Sequence, residues 1–98
     1  MKLWRVVFDP DAEADLDGIH DWVARHANER IADGYAERLT SFCRRLRTFP
    51  ERGEVRNDIH PGVRVIGFEE RASVMFAIDE NEVRILRILY AGRQFDGD

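Results

Sequence analysis

The residues of this 98-residue chain best equipped for chemistry are arginines, since all but one of its 15 lysines and arginines are arginine. Three of them fall in the last third, in segments that alternate like strands: Arg64 in "HPGVRV", Arg87 in "EVRILRILY" and Arg93 in "AGRQF". A guanidinium makes forked bonds to a carboxylate or phosphate and stacks on aromatic rings. It stays protonated, so it serves as a cation and never as a base. Two readings of this set stand side by side. One is a structural ion pair, for example Arg87 with an acid on the second strand; the other is a patch on an uncovered sheet face that binds a phosphate or an acidic chain. Tyr90 and Phe95 flank Arg93 and join the second reading.

Other reactive side chains give less. His20 and His26 lie six residues apart and take different faces of one helix, while His60 sits in a loop, so no histidine pair has metal-ligand spacing. The single Cys43 follows Phe42 beside Arg44 and Arg45, with no neighbouring base in sequence, and reads as a packed, inert thiol. No glycine-rich phosphate loop is present. Arg38, Arg44, Arg45 and Arg47 form a basic flank, read as a solvated face that offsets an acidic helix before it. No catalytic set, metal or cofactor is expected.

The elements that must position these residues follow from periodicity. "LWRVVF" (3–8) is β-branched and aromatic and predicts a strand. Asp9 then serves as N-cap with Pro10 in the first helical position, and Asp11, Glu13 and Asp15 sit where the positive helix end favours acids. The apolar stripe is Ala12, Leu16, Ile19 and Val23, with Trp22 at its edge. Asn28 caps a second helix with the stripe Ile31, Tyr35, Leu39, Phe42, Leu46 and Phe49, ended by Pro50 and Gly53. So short a link makes the pair an antiparallel hairpin. "VRVIGF", "SVMFAI" and "EVRILRILY", joined by "EERA" and "DENE", predict a three-stranded antiparallel meander. The expected class is α+β: an N-terminal strand, a helix hairpin packed on one sheet face, then the meander, with the other face uncovered.

Composition bounds the function. Length allows one domain, 1–98, with one core. No apolar run approaches the roughly 20 residues of a membrane span, and "MKLWRVVFDPD" has acids where a signal peptide has its cleavage region. A cytoplasmic protein is expected, which a lone cysteine suits. The net charge of −4 argues against coating nucleic acid alone. Charge is unevenly spread: residues 1–37 hold nine acids against four bases, while 38–98 hold ten acids against eleven bases.

"ADLDGIHDWVA", "YAERLTSFCRRLRTFPERGE", "HPGVRVI", "SVMFAID" and "VRILRILYAGRQF", in that order, resemble ParE-type toxins of the RelE/ParE superfamily, the toxin half of bacterial type II toxin–antitoxin pairs linked to plasmid stabilisation. The resemblance spans nearly the whole chain and rests on the ordered set, since no single motif in it is strong. It implies a ParD-like antitoxin whose C-terminal helix and strand lie in the groove between hairpin and sheet, a hetero-oligomer with that antitoxin, and inhibition of DNA gyrase. Arg64, Arg87, Tyr90, Arg93 and Phe95 would then face the target. The RelE-like branch implies the alternative, a ribosome-dependent messenger RNA endoribonuclease. Its strand arginine would fall at Ala72 or Ser73, Tyr90 lies upstream of the place of its nuclease tyrosine, and Phe95 has no hydroxyl. A third alternative is a non-toxic module kept for antitoxin binding and operon autoregulation. The chain departs from the family's arginine-rich endings, closing with "YAGRQFDGD".

Overall fold

The computed structural model describes residues 1–91. The first strand, β1 (Arg5–Phe8), leads directly into α1 (Pro10–His26). Pro10 occupies the first turn as expected, yet Asp9 makes no capping bond; its carboxylate instead takes the Arg84 guanidinium at 2.8 Å. α2 (Glu29–Arg44) begins at Asn28, whose side-chain oxygen accepts from the Ile31 N–H at 2.9 Å. It passes into a 3-10 turn over Arg45–Arg47, earlier than the stop expected at Pro50. Then come β2 (Glu54–Val55), β3 (Val63–Phe68), β4 (Ala72–Ile78) and β5 (Glu82–Tyr90).

The α+β class and the helix hairpin are as expected, and β3, β4 and β5 form the antiparallel meander. The whole sheet is mixed, however. Its order is β1-β5-β4-β3-β2, and β1 runs parallel to β5, with Arg5 opposite Glu82 and Phe8 opposite Ile85. The short β2 on the far edge was not anticipated. It starts after Gly53, whose φ of +81° and 2.6 Å approach of a would-be Cβ to the Val65 carbonyl admit only glycine.

Both helices pack on one sheet face. Ala12, Ile19 and Val23 of α1 and Ala32, Tyr35, Leu39 and Cys43 of α2 meet Val74, Phe76, Val83, Ile85, Ile88 and Tyr90. Two residues of the expected α2 stripe lie outside this core: Ile31 is 52% and Phe49 67% exposed. Ala32 and Cys43 hold the inward phase instead, and Phe42 packs at the margin against Phe68, ring centroids 5.0 Å apart. Leu16 is likewise half-buried, and the α1 position that is buried in its place is Asp15.

β5 changes face midway. Val83 and Ile85 point into the core, then Ile88 and Tyr90 do, a switch of parity made by a bulge in which Leu86 has no partner: Phe76 pairs with Ile85 and Met75 with Arg87. The β3–β4 connection, Glu69–Arg71, places Glu69 and Glu70 at φ of 48° and 66°. Arg38 of α2 holds Glu69 there with a fork of 2.9 and 3.0 Å.

Candidate functional site

The bulge in β5 determines what Arg87 does. It sets the Ile88 N–H toward α1, where the Asp15 carboxylate accepts it at 2.8 Å. Arg87 reaches the same carboxylate through Nε at 2.7 Å and a terminal nitrogen at 3.1 Å. A carboxylate 8% exposed is costly without partners, and here it has three donors. The ion pair expected of Arg87 therefore exists, with a helix acid as partner in place of an acid on the second strand. Asp15 was missed as a core residue. Its signal was present, because it follows Ala12 by three and precedes Ile19 by four, in phase with the stripe.

The other expected site residues are dispersed. Arg64 sits opposite Phe76 in register, on the helix side of the sheet, and its guanidinium approaches the Arg52 carbonyl at 3.5 Å. It does not meet Arg87, whose guanidinium is held by Asp15 of α1, and β4 runs between their strands. Tyr90 is 7% exposed and packs against Trp22 and Tyr35, centroids 5.5 and 5.7 Å away. Arg93 and Phe95 lie outside the described residues. Next to Tyr90, the Tyr35 hydroxyl is buried without a hydrogen-bond partner among the described residues, and desolvation pushes its pKa up to about 12. Cys43 is fully buried and its thiol is pushed up to about 12 by the same cause, so it is no nucleophile at neutral pH.

Across the hairpin, His20 meets acids that sequence spacing on one helix could not reveal. Its Nε2 lies 2.7 Å from Asp33 and 3.7 Å from Glu29 of α2, and Nδ1 3.8 Å from Asp21. The hydrogen bond to Asp33 raises the His20 pKa above its ordinary value, with Glu29 adding to the effect. His20, Glu29 and Asp33 are the described residues that could offer a cation three ligand atoms, all within 4.8 Å. As they stand they form a hydrogen-bonded bridge between helices. His26 is elsewhere, stacked on Trp22 with centroids 3.9 Å apart.

A groove opens between the end of α2 and the first strand. Trp4, Val6 and Phe8, alternate residues of one strand face, form its floor, and Arg44 and Arg47 form its wall. At about 280 Å³ it falls just below the roughly 300–1,000 Å³ of small-molecule sites. Its chemistry, apolar beneath and cationic at the side, suits side chains of another macromolecule. Arg44, Arg45 and Arg47 have no acid within ion-pair distance among the described residues.

Comparison with known proteins places this arrangement. The chain is 31% identical over 85 residues to Toxin ParE3 of Caulobacter vibrioides, covering 87% of this chain and 84% of that protein. Its structure is similar to a chain of the chromosomal ParDE toxin–antitoxin system from P. aeruginosa, with a TM-score of 0.79, 26% identity, and coverage of 91% of this chain and 97% of that one. A chain of the RelBE2 toxin–antitoxin complex of Mycobacterium tuberculosis shares the fold, with a TM-score of 0.64 at 20% identity, covering 90% and 98% of the two chains. The family described as "ParE toxin of type II toxin-antitoxin system, parDE" matches residues 6–95. With that family model matching most of its length and that relative 31% identical, the chain belongs to the ParE toxins of type II toxin–antitoxin systems.

Proposed function

We propose that this chain, acting as one domain over 1–98, is a cytoplasmic toxin neutralised by a cognate ParD-like antitoxin, and that its target is DNA gyrase. The match to the ParE family over residues 6–95 carries the reading. An antitoxin partner is supported by the likeness to a chain of the P. aeruginosa ParDE toxin–antitoxin system. Among the described residues no helix is long and apolar enough to cross a membrane.

Gyrase is favoured over messenger RNA by the chemistry of the sheet. Attack by a 2′-hydroxyl needs a base, an acid and a cation on the phosphate. The described strands offer cations, Arg5, Arg64, Arg84 and Arg87, but their arginines cannot accept a proton. The described histidines lie on α1 and in the loop before β3. Tyr90 is enclosed by rings, and Glu82 is held by Arg5 and Arg84, at 2.7 and 2.8 Å.

The test is a pair of reconstituted assays. The free toxin is expected to inhibit gyrase supercoiling or accumulate cleaved DNA, and to leave ribosome-bound messenger RNA intact. Codon-specific cleavage in a translating extract would replace this reading with the RelE-like one. Growth arrest on induction tests the working end. Arg93→Ala is expected to abolish arrest while antitoxin pull-down persists, because a desolvated arginine contact is worth about 2 kcal/mol or more at a hot spot, about thirtyfold in affinity.

A further inference from the structure

We propose that His20 of α1 and Glu29 and Asp33 of α2 form a binding site for one divalent metal ion of the zinc class, which clamps the two helices of the hairpin together. The site stands apart from antitoxin and target, and goes beyond the toxin reading without resting on it.

The donors come from two elements. Glu29 and Asp33 are four residues apart on α2, so they rise from successive turns of one helix face. α1 brings His20 to that face across the hairpin, with Nε2 2.7 Å from the Asp33 carboxylate and 3.7 Å from that of Glu29. One ligand atom from each residue lies within 4.8 Å of the other two. Around a tetrahedral zinc ion, with bonds of about 2.0–2.2 Å, donor atoms stand roughly 3.4 Å apart. The three groups are close to that spacing, and the fit asks for a small shift of Asp33 away from the imidazole. The Glu29 and Asp33 side chains are 77% and 65% exposed and can move without disturbing the core.

Charge points the same way. Asp9, Asp15, Asp58, Glu69 and Glu82 are each held by an arginine between 2.7 and 2.9 Å. Among the described residues, Asp21, Glu29 and Asp33 have no arginine or lysine within ion-pair distance, and all three turn to the one imidazole. A proton on His20 offsets one of these negative charges. A divalent ion offsets two and takes the imidazole in its neutral form. Asp21, 3.8 Å from Nδ1, then lies on the ring nitrogen that does not bind the ion, the side from which a carboxylate commonly orients a metal-bound histidine.

The donor set selects the ion. One imidazole nitrogen with two carboxylates suits zinc, cobalt or nickel, whereas calcium and magnesium take oxygen ligands. Three protein donors leave a fourth position for water. Because the ligands meet only where α1 and α2 lie side by side, the ion binds the folded hairpin and stabilises it by mass action.

The experiment uses the full chain, freed of metal with a chelator, dialysed, then titrated with ZnCl2 by calorimetry and followed in a thermal melt. Binding of one zinc ion per chain is expected, with the melting temperature raised by at least about 3 °C at saturation and little changed by MgCl2. Cobalt in place of zinc should give the visible absorption of a four-coordinate site. His20→Ala and Glu29→Gln/Asp33→Asn, each shown folded by its metal-free melt, should bind zinc at least about tenfold more weakly and lose the cobalt spectrum. His60→Ala, altered in the loop before β3, should bind like wild type. Equal zinc affinity in wild type and His20→Ala overturns the inference, since the ion then sits elsewhere. Stabilisation by magnesium equal to that by zinc also overturns it, because the acids alone would then be drawing the cation. Absence of both binding heat and thermal shift with zinc leaves a hydrogen-bonded bridge and nothing more. Each of these results leaves the toxin reading untouched.

Discussion

The Asp15 carboxylate is bound by three donors from β5, and removing either side chain of the ion pair does not cost the same. Arg87→Ala strands a buried carboxylate with one N–H and is expected to cost about 3 kcal/mol. Asp15→Ala removes the buried carboxylate and leaves a partly exposed arginine, 34% accessible, so the main buried cost is the orphaned Ile88 N–H, about 1–2 kcal/mol. The double variant should therefore be more stable than Arg87→Ala alone in urea unfolding, and a double variant that is less stable would show that the arginine is held mainly by something else. Tyr35 makes the opposite case. Its hydroxyl is desolvated and unpartnered, so Tyr35→Phe should leave stability unchanged or raise it by about 1 kcal/mol, measured by the same method. A loss of more than that would reveal a partner for the hydroxyl.

The hairpin carries a pH dependence of its own. His20 on α1 is hydrogen-bonded to Asp33 on α2, and that bond raises its pKa. A raised histidine pKa stabilises the fold fully below the unfolded value of about 6.5, and the contribution fades as pH climbs through the folded value. The melting temperature should fall across that window in wild type and fall less in His20→Gln; equal profiles would remove the bridge from the account. How far the sequence foretold these elements differs by case. Asn28 and Pro10 mark helix starts through local chemistry, so both were readable. The phase of α2 was read one step off at its ends because Ile31 and Phe42 outweigh the smaller Ala32 and Cys43 that face the core. The run "VRILRIL" has no usable alternation, so the bulge at Leu86, and with it the meeting of Arg87 and Asp15, could not be drawn from period two alone. His20 and Asp33 are brought together by the hairpin, a relation that spacing along one helix does not encode. Within the candidate site, Arg64 and Arg87 were recognised as unusual but not separated, since which sheet face each takes depends on register. The arginine flank was read as solvated, which its exposure agrees with; the groove next to it needed β1 in place.

For the molecule as a whole, the decisive relation is that β1 lies beside β5. β1 is the first of the described elements, and β5, its strand partner among the described residues, follows α1, α2, β2, β3 and β4. Pairing so distant in sequence must meet its loop entropy before any contact returns it, so such folds form more slowly than helical bundles built on local contacts. The order of synthesis then matters. While the chain is still being made, β1 has no neighbour, the floor of Trp4, Val6 and Phe8 has no edge to stand on, and Asp15 has neither Arg87 nor the Ile88 N–H. A product terminated before Glu82 would lack β5, the strand beside β1, and could not set β1 into the sheet as the floor of the groove. The groove floored by Trp4, Val6 and Phe8 therefore takes its place in the sheet only after the last described strand is made.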